Sequence, residues 1–303
     1  MSREIIEKDL LLIQVLLDEV LSVKEYKKVS RLGGLTNHTY KITLKNGKEY
    51  VVRIPGEGTE ELINRKDERM STELACYLEI DADLIYFDKK GVKISGYIPD
   101  AITMSPELMK SEEHIKQAAL IFRKLHTCGK DTGVSFDVFE MAANYEKFIM
   151  DNQVNVYDDY LLIKEKVMQL KESLDCIWKA PLVPCHNDPL CENWIEGNGR
   201  LYLIDWEYAG MNDGMWDLAD LSIEAGYDTR QDELLLNAYF NREITAYDRR
   251  RFLANKIYLD YLWTLWGKTR VPFEGASMDL YALERYERLK ENLLKYDKIE
   301  GDK

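Results

Sequence analysis

The chain has 303 residues, enough for two lobes with separate hydrophobic cores. Its 41 lysines and arginines against 54 aspartates and glutamates leave a formal charge of −13, which excludes indiscriminate binding to nucleic acid or anionic lipid and suits a cationic ligand. Hydrophobic residues at 46% with 11% aromatics exclude a disordered chain.

From residue 3 to about 22, Ile6, Leu10, Ile13, Leu17 and Val20 recur at three- and four-residue spacing, which predicts an amphipathic helix. The apolar run at 10–17 inside it falls well short of the ~20 residues that cross a bilayer, so no membrane insertion is expected. Between 26 and 56 the period changes. "TYKITL", the "NG" turn at 46–47 and "KEYVVRI" predict two antiparallel strands joined by a tight turn. A helix is expected from Asn64 to about Leu78, then strands at "DLIYFD" and "VKISGYI". Pro99 interrupts that pattern and places the crossing between lobes at 96–103, with an N-terminal lobe of 1–98 and a C-terminal lobe of 99–303. The second lobe reads as mostly helical: roughly 111–128, 140–175, 214–225, 231–239, 246–267 and 277–296. Its exception is "NWIEGNGRLYLID" at 193–205, a hairpin turning at "GNG". The fold class is therefore α+β, a small lobe of antiparallel sheet plus helix followed by a larger helical lobe.

Cys76, Cys128, Cys176, Cys185 and Cys191 are odd in number and contain no CxxC pair, as expected of reduced thiols in a cytoplasmic protein. No signal peptide is evident.

The chemistry concentrates at "CHNDPLCEN" (185–193) and "LIDWEYAG" (203–210). A hairpin centred near Gly199 sets Asn193 almost opposite Asp205, with α-carbons ~4.5 to 5.5 Å apart. An amide oxygen and a carboxylate there suit Mg²⁺, which prefers oxygen ligands and one or two protein carboxylates. Asp188, on the loop entering the hairpin, is placed to accept the proton of an attacking hydroxyl. His186 reads as a brace for that loop.

An aspartate, an asparagine five residues on, and a strand-terminal aspartate resemble the catalytic core of protein-kinase-like phosphotransferases. Such an enzyme needs a phosphate-covering loop, and "RLGGLTNHTYKI" (31–42) lies between strand patterns with Gly33 and Gly34 permitting close approach to phosphate. Arg53 stands at the strand position where protein kinases carry lysine, and its expected partner is Glu68, with Glu73 as second choice. Thr36 and Asn37 are expected to help close the loop.

The resemblance then narrows. "HNDPLCENW", "IDWEYAGMNDGMWDLADLSIEAGY", "GGLTNHTY", Arg53 and "LWTLW" (262–266), taken in order over roughly residues 30–290, are similar to the choline kinase family, above all its bacterial LicA-type branch. That resemblance implies ATP and Mg²⁺ as cofactors, and adenine binding through the backbone of Gly96 and Ile98. It also implies a choline pocket near Trp263, Trp266 and Tyr281, with Tyr208 and Glu224 as further candidates. Pro189 and Cys191 depart from what eukaryotic relatives carry in the catalytic loop, and 130–180 offers no motif.

An isolated tryptophan pair is ordinary core packing. Here it follows a catalytic motif, and a quaternary ammonium, which has no hydrogen to donate, is best held by aromatic faces. The alternatives are ethanolamine as acceptor, an aminoglycoside or other small-alcohol kinase with the same core, and a nucleotide-binding scaffold without activity. No nucleic-acid partner is expected, and the sequence leaves the oligomeric state open.

Overall fold

A computed structural model describes residues 3–33, 37–56, 63–177 and 180–301. Contacts divide the chain into two compact units. The first comprises Met1–Met104 with Glu192–Tyr208, and the second Ser105–Cys191 with Ala209–Lys303.

The first unit opens with helix α1 (Arg3–Leu21), followed by strands β1 (Tyr26–Gly33), β2 (Asn37–Leu44) and β3 (Glu49–Pro55). Helix α2 (Arg65–Tyr77) and strands β4 (Leu84–Phe87), β5 (Lys93–Gly96) and β6 (Ile102–Thr103) follow. The first five strands form one antiparallel sheet in the order β1-β2-β3-β5-β4. Alternation buries Tyr40, Ile42, Leu44, Val52 and Ile54 on one face, where Ile13, Leu16 and Leu17 of α1 complete the core. Asp9 of α1 is also inside. It accepts from the Tyr40 hydroxyl at 2.7 Å and lies 2.8 Å from His38 Nδ1, so the helix is held by directed bonds as well as by apolar area.

Hairpin strands β8 (Trp194–Gly197) and β9 (Arg200–Leu203) belong to this unit because β6 pairs with β8. The first unit therefore runs past residue 98 to Met104 and takes back 192–208. Asn198 and Gly199 both have positive φ, 51° and 72°, as a two-residue hairpin turn requires. Gly197 packs flat on the chain at 98–99. A Cβ there would sit 2.3 Å from Ile98 Cγ2 and 2.8 Å from the Pro99 carbonyl oxygen, and the latter is backbone that cannot rotate away.

The second unit holds β7 (Leu182–Cys185) paired with β10 (Gly210–Asp213), and helices α3 (Pro106–Met109), α4 (Glu112–His126), α5 (Val138–Asp151), α6 (Tyr160–Ile177), α7 (Met215–Ala225), α8 (Thr229–Phe240), α9 (Ala246–Glu274) and α10 (Ala276–Gly301). Most of α9 from Phe252 to Thr269 is buried, as befits a central helix that is apolar on more than one face. The single helix expected over 140–175 is two. Asn152 ends α5, and Gln153 takes a left-handed φ of 54°. Tyr157 in the break stacks on Tyr286 of α10 at 4.1 Å between ring centroids. Tertiary packing of the connecting segment outweighs the continuous apolar period.

Replacing Gly197 by alanine is expected to destabilise the first unit by about 1 to 3 kcal/mol through overpacking. A thermal unfolding midpoint equal to the parent's would show that the hairpin does not press on residues 98–99.

Candidate active site

In the first unit, Arg53 projects from β3 into a buried ionic network. Its Nη2 donates to Glu68 Oε1, and its Nη1 to Asp205 Oδ1 at 3.1 Å and Glu207 Oε1 at 3.2 Å. Arg65, at the start of α2, donates to Glu68 Oε2 at 2.7 Å and Glu207 Oε1 at 2.8 Å. Asn37 Nδ2 adds a third donor to Glu207 Oε1 at 3.1 Å. Burial works against the Arg53 charge, but Glu68, Asp205 and Glu207 outweigh it and hold the guanidinium pKa above its ordinary value. Glu73, the second-choice partner, pairs instead with exposed Arg69.

Glu207 and Arg65 were not singled out from the sequence, although "DWEY" and "INRK" contain them. Gly91 makes room for Arg65: a Cβ at Gly91 would come within 2.6 Å of the arginine's Cδ and Nε.

Three carboxylates against two guanidiniums leave this network with one excess negative charge. Both oxygens of Glu68 and one of Glu207 are engaged by arginine, whereas the Asp205 side chain retains 37% exposure and is bonded to Arg53 through Oδ1. Although the three carboxylates lie within 4.8 Å of one another, Asp205 is the member whose exposure leaves it accessible to a cation. Its φ of 69° is left-handed, a costly conformation for a non-glycine residue that concentrates at functional sites.

The hairpin register differs by one residue from the expected one. Trp194 pairs with Leu203, and the Asn193 carbonyl accepts from the Ile204 N–H at 2.9 Å. Asn193 therefore faces Ile204, with Asp205 next along the chain. The reason is the short 3₁₀ turn at Cys191–Asn193, which takes Asn193 out of the ladder. Gly34 and Thr36 lie outside the described residues. Gly96 gives its amide to the Asp83 carbonyl at 2.9 Å, and Ile98 is buried against Ile195 and Tyr202. Tyr208 ends the first unit.

In the second unit the loop of Asp188 is built on Asp217 of α7. Fully buried, Asp217 accepts the His186 N–H at 2.8 Å through Oδ2 and the Asn187 N–H at 2.8 Å through Oδ1, and its Oδ2 lies 3.0 Å from His126 Nε2. Asn187 has a left-handed φ of 67° and is held further by Asn212 and by the Trp216 indole, which donates to its carbonyl at 3.0 Å. His186 Nδ1 accepts from the Asp188 amide at 3.3 Å. Asp217 braces the loop through the amides of His186 and Asn187, and His186 through the amide of Asp188. His126, Cys185 and Asp217 are close enough to suit a metal. Burial, with Asp217 and Asp213 nearby, drives the Cys185 thiol pKa well up, while His126 is engaged at both nitrogens, so this cluster is structural.

Further along α7, Glu224 pairs with buried Arg285 of α10. The Arg285 guanidinium lies 5.0 Å from the Tyr281 ring centroid. Tyr281 meets Trp266 edge-on at 5.8 Å, and Trp266 meets Trp263 edge-on at 5.8 Å. Trp263 is only 5% exposed, whereas Trp266 and Tyr281 are half-buried and keep surface for a ligand. Gly267 sets this spacing, since a Cβ there would meet Tyr281 Cδ1 at 2.9 Å. Burial raises the Tyr281 phenol pKa. Arg285 lowers it, and Glu224, Asp220 and Asp188 raise it again, which places those acids around the aromatic group.

A sheet unit holding a buried arginine–glutamate pair and a helical unit carrying an aspartate loop braced from below define a protein-kinase-like phosphotransferase. A family model for choline/ethanolamine kinases matches residues 29–280, and the chain belongs to that family. A choline/ethanolamine kinase family protein from Mesorhizobium loti has a similar structure, with TM-score 0.84 and 32% identity over 95% of this chain and 96% of that one. Choline kinase LicA from Streptococcus pneumoniae gives 0.76 and 32% over 94% and 100%. A LicA in complex with AMP gives 0.75 and 33% over 94% and 98%. Protein LicA of Haemophilus influenzae is 28% identical over 84% of this chain and 77% of its own length. The protein is a kinase of small alcohols.

Substituting asparagine for Asp217 leaves two backbone donors facing an amide in place of a carboxylate. The expected cost is about 1.5 to 3 kcal/mol for each charged hydrogen bond weakened, with kcat falling more than the nucleotide KM rises. A stable variant with parental kcat would remove Asp217 from the support of the loop.

Proposed function

We propose that the protein transfers the γ-phosphoryl group of ATP to choline, giving phosphocholine and ADP. The observation that carries the reading is the second unit's grouping of half-buried Trp266 and Tyr281 with Glu224, Asp220 and the loop aspartate Asp188. Aromatic faces contribute about 0.5 to 2 kcal/mol each to a methylated ammonium, and the acids add attraction that needs no hydrogen bond. In this reading Asp188 orients the alcohol and takes its proton as the oxygen attacks phosphorus. Arg53, positioned by Glu68, steadies the nucleotide phosphates. Gly34, Thr36 and Asn37, the last at the start of β2, would serve to cover the phosphates, and Gly96 and Ile98 would form the adenine site. ATP as donor is supported by the family and by the AMP complex of the related LicA.

Asn193 and Asp205 would hold Mg²⁺, since an amide oxygen and a carboxylate form the hard donor set that this ion prefers. When bound, the ion neutralises charge on the transferring phosphoryl group. Trp263, with its rings edge-on and buried, supports Trp266. Tyr208 and Glu224 remain candidates for the acceptor, and His186 for loop support. Among the described residues no helix is long and apolar enough to cross a membrane, and none of the five cysteines forms a disulfide. A cytoplasmic setting, where ATP is available, is part of the proposal.

A second reading, ethanolamine as acceptor, is favoured by the acids beside the aromatic rings, because a primary ammonium uses both. Steady-state rates with ATP on choline, ethanolamine and kanamycin separate the cases. Choline is expected to have the highest kcat/KM, and rapid turnover of kanamycin with none of choline would overturn the proposal. Asp188→Ala is expected to lower kcat by about 10² to 10⁴ while nucleotide affinity stays near that of the parent. Trp266→Ala should instead raise the choline KM with a smaller change in kcat, because it removes binding common to ground and transition states.

A further inference from the structure

Helix α7 carries Asp217, Asp220 and Glu224 at i, i+3 and i+7, a spacing that puts all three on one face. The first ties down the Asp188 loop and the last pairs with Arg285. Between them, one turn from each, Asp220 is 1% exposed, and among the described residues neither of its carboxylate oxygens has a hydrogen-bond partner. Nη1 of Arg285 is likewise buried without one. Burying a carboxylate without hydrogen bonds costs folding free energy, so such a group persists where something else uses it.

Charge in this region points to that use. Asp220, Glu224 and Asp260 face two guanidiniums: Arg285, paired with Glu224, and Arg288, which takes both oxygens of Asp260 at 2.9 and 2.6 Å. Three carboxylates against two arginines leave one negative charge without a hydrogen-bonded partner among the described residues, that of Asp220. Burial, then Glu224 and Asp188, push the Asp220 carboxyl pKa well above the usual range, against the pull of Arg285. A monocation bound beside Trp266 and Tyr281 would supply the missing countercharge.

We propose that Asp220 is a specificity-determining residue of the acceptor site, its unpartnered carboxylate selecting a cationic head group over a neutral one of the same shape. This rests on the reading that the acceptor carries an ammonium. It adds a residue whose side chain acts by charge alone, since among the described residues neither carboxylate oxygen of Asp220 is committed to the fold through hydrogen bonding.

The test compares choline with 3,3-dimethyl-1-butanol, its uncharged isostere, in the parent, Asp220→Asn and Asp220→Glu. In the parent, kcat/KM strongly favours choline. In Asp220→Asn the ratio of the two is expected to fall by roughly tenfold or more, the effect of one charge lost at a few ångströms in a partly desolvated site, mostly through the choline KM. Asp220→Glu should retain most of the ratio. Without choline, the thermal midpoint of Asp220→Asn should equal or exceed the parent's, because an amide is easier to bury than an uncompensated carboxylate. An unchanged ratio in Asp220→Asn, an equal loss on both alcohols with a lowered midpoint, or failure of that variant to fold would each overturn the proposal. A parent enzyme inactive on both choline and ethanolamine would refute the ammonium reading instead, and the unfolding midpoints would still report on whether Asp220 is a structural group.

Discussion

One buried carboxylate organises the helical unit. Asp217 accepts two consecutive backbone amides, those of His186 and Asn187, and lies against His126. Two amides on one carboxylate force that stretch of chain into a tight arc, and Asn187 pays with a left-handed backbone. Asp188 then follows at a fixed place at the end of the arc. The requirement propagates outward. Gly214 must lack a side chain because a Cβ would meet His126 Nδ1 at 2.7 Å, and Tyr239 must donate to or accept from the other side of that imidazole.

The sheet unit solves a related problem with different residues. A buried arginine is costly alone, so Arg53 is surrounded by Glu68, Asp205 and Glu207, and Arg65 returns the charge that those acids oversupply. In both units the satisfied charges act as scaffold and one acid is left under-compensated. That residue is Asp205 in the network of β3 and α2, and Asp220 on α7.

Much of the fold was legible because its periods are plain. Ile42, Leu44, Val52 and Ile54 alternate, the "NG" and "GNG" turns bound hairpins, and apolar spacing marks the helices. The break between α5 and α6 was not legible, since the apolar period runs through it and only the stacking of Tyr157 on Tyr286 explains the interruption. Strands β7 and β10 escaped because each is four residues long and takes its strand character from the other. At the site, "HND", "IDWEY" and "LWTLW" drew notice through residue type and order. Asp217 and Asp220 lay in plain view in "WDLAD", yet a pair of aspartates on an amphipathic helix looks like an ordinary solvated face until burial is known.

The sequence by itself determined the α+β architecture, the phosphotransferase motif and the pairing of acid with aromatic residues, because these depend on local period and residue chemistry. Only the tertiary structure decided that Asn193 faces Ile204, that Glu207 and Arg65 close the network around Arg53, that Trp263 is interior while Trp266 and Tyr281 keep exposed surface, and which acid on α7 is paired. Those outcomes depend on which charges and rings meet across large separations in the chain. Burial and hydrogen-bond satisfaction belong to the folded assembly and to no segment taken alone.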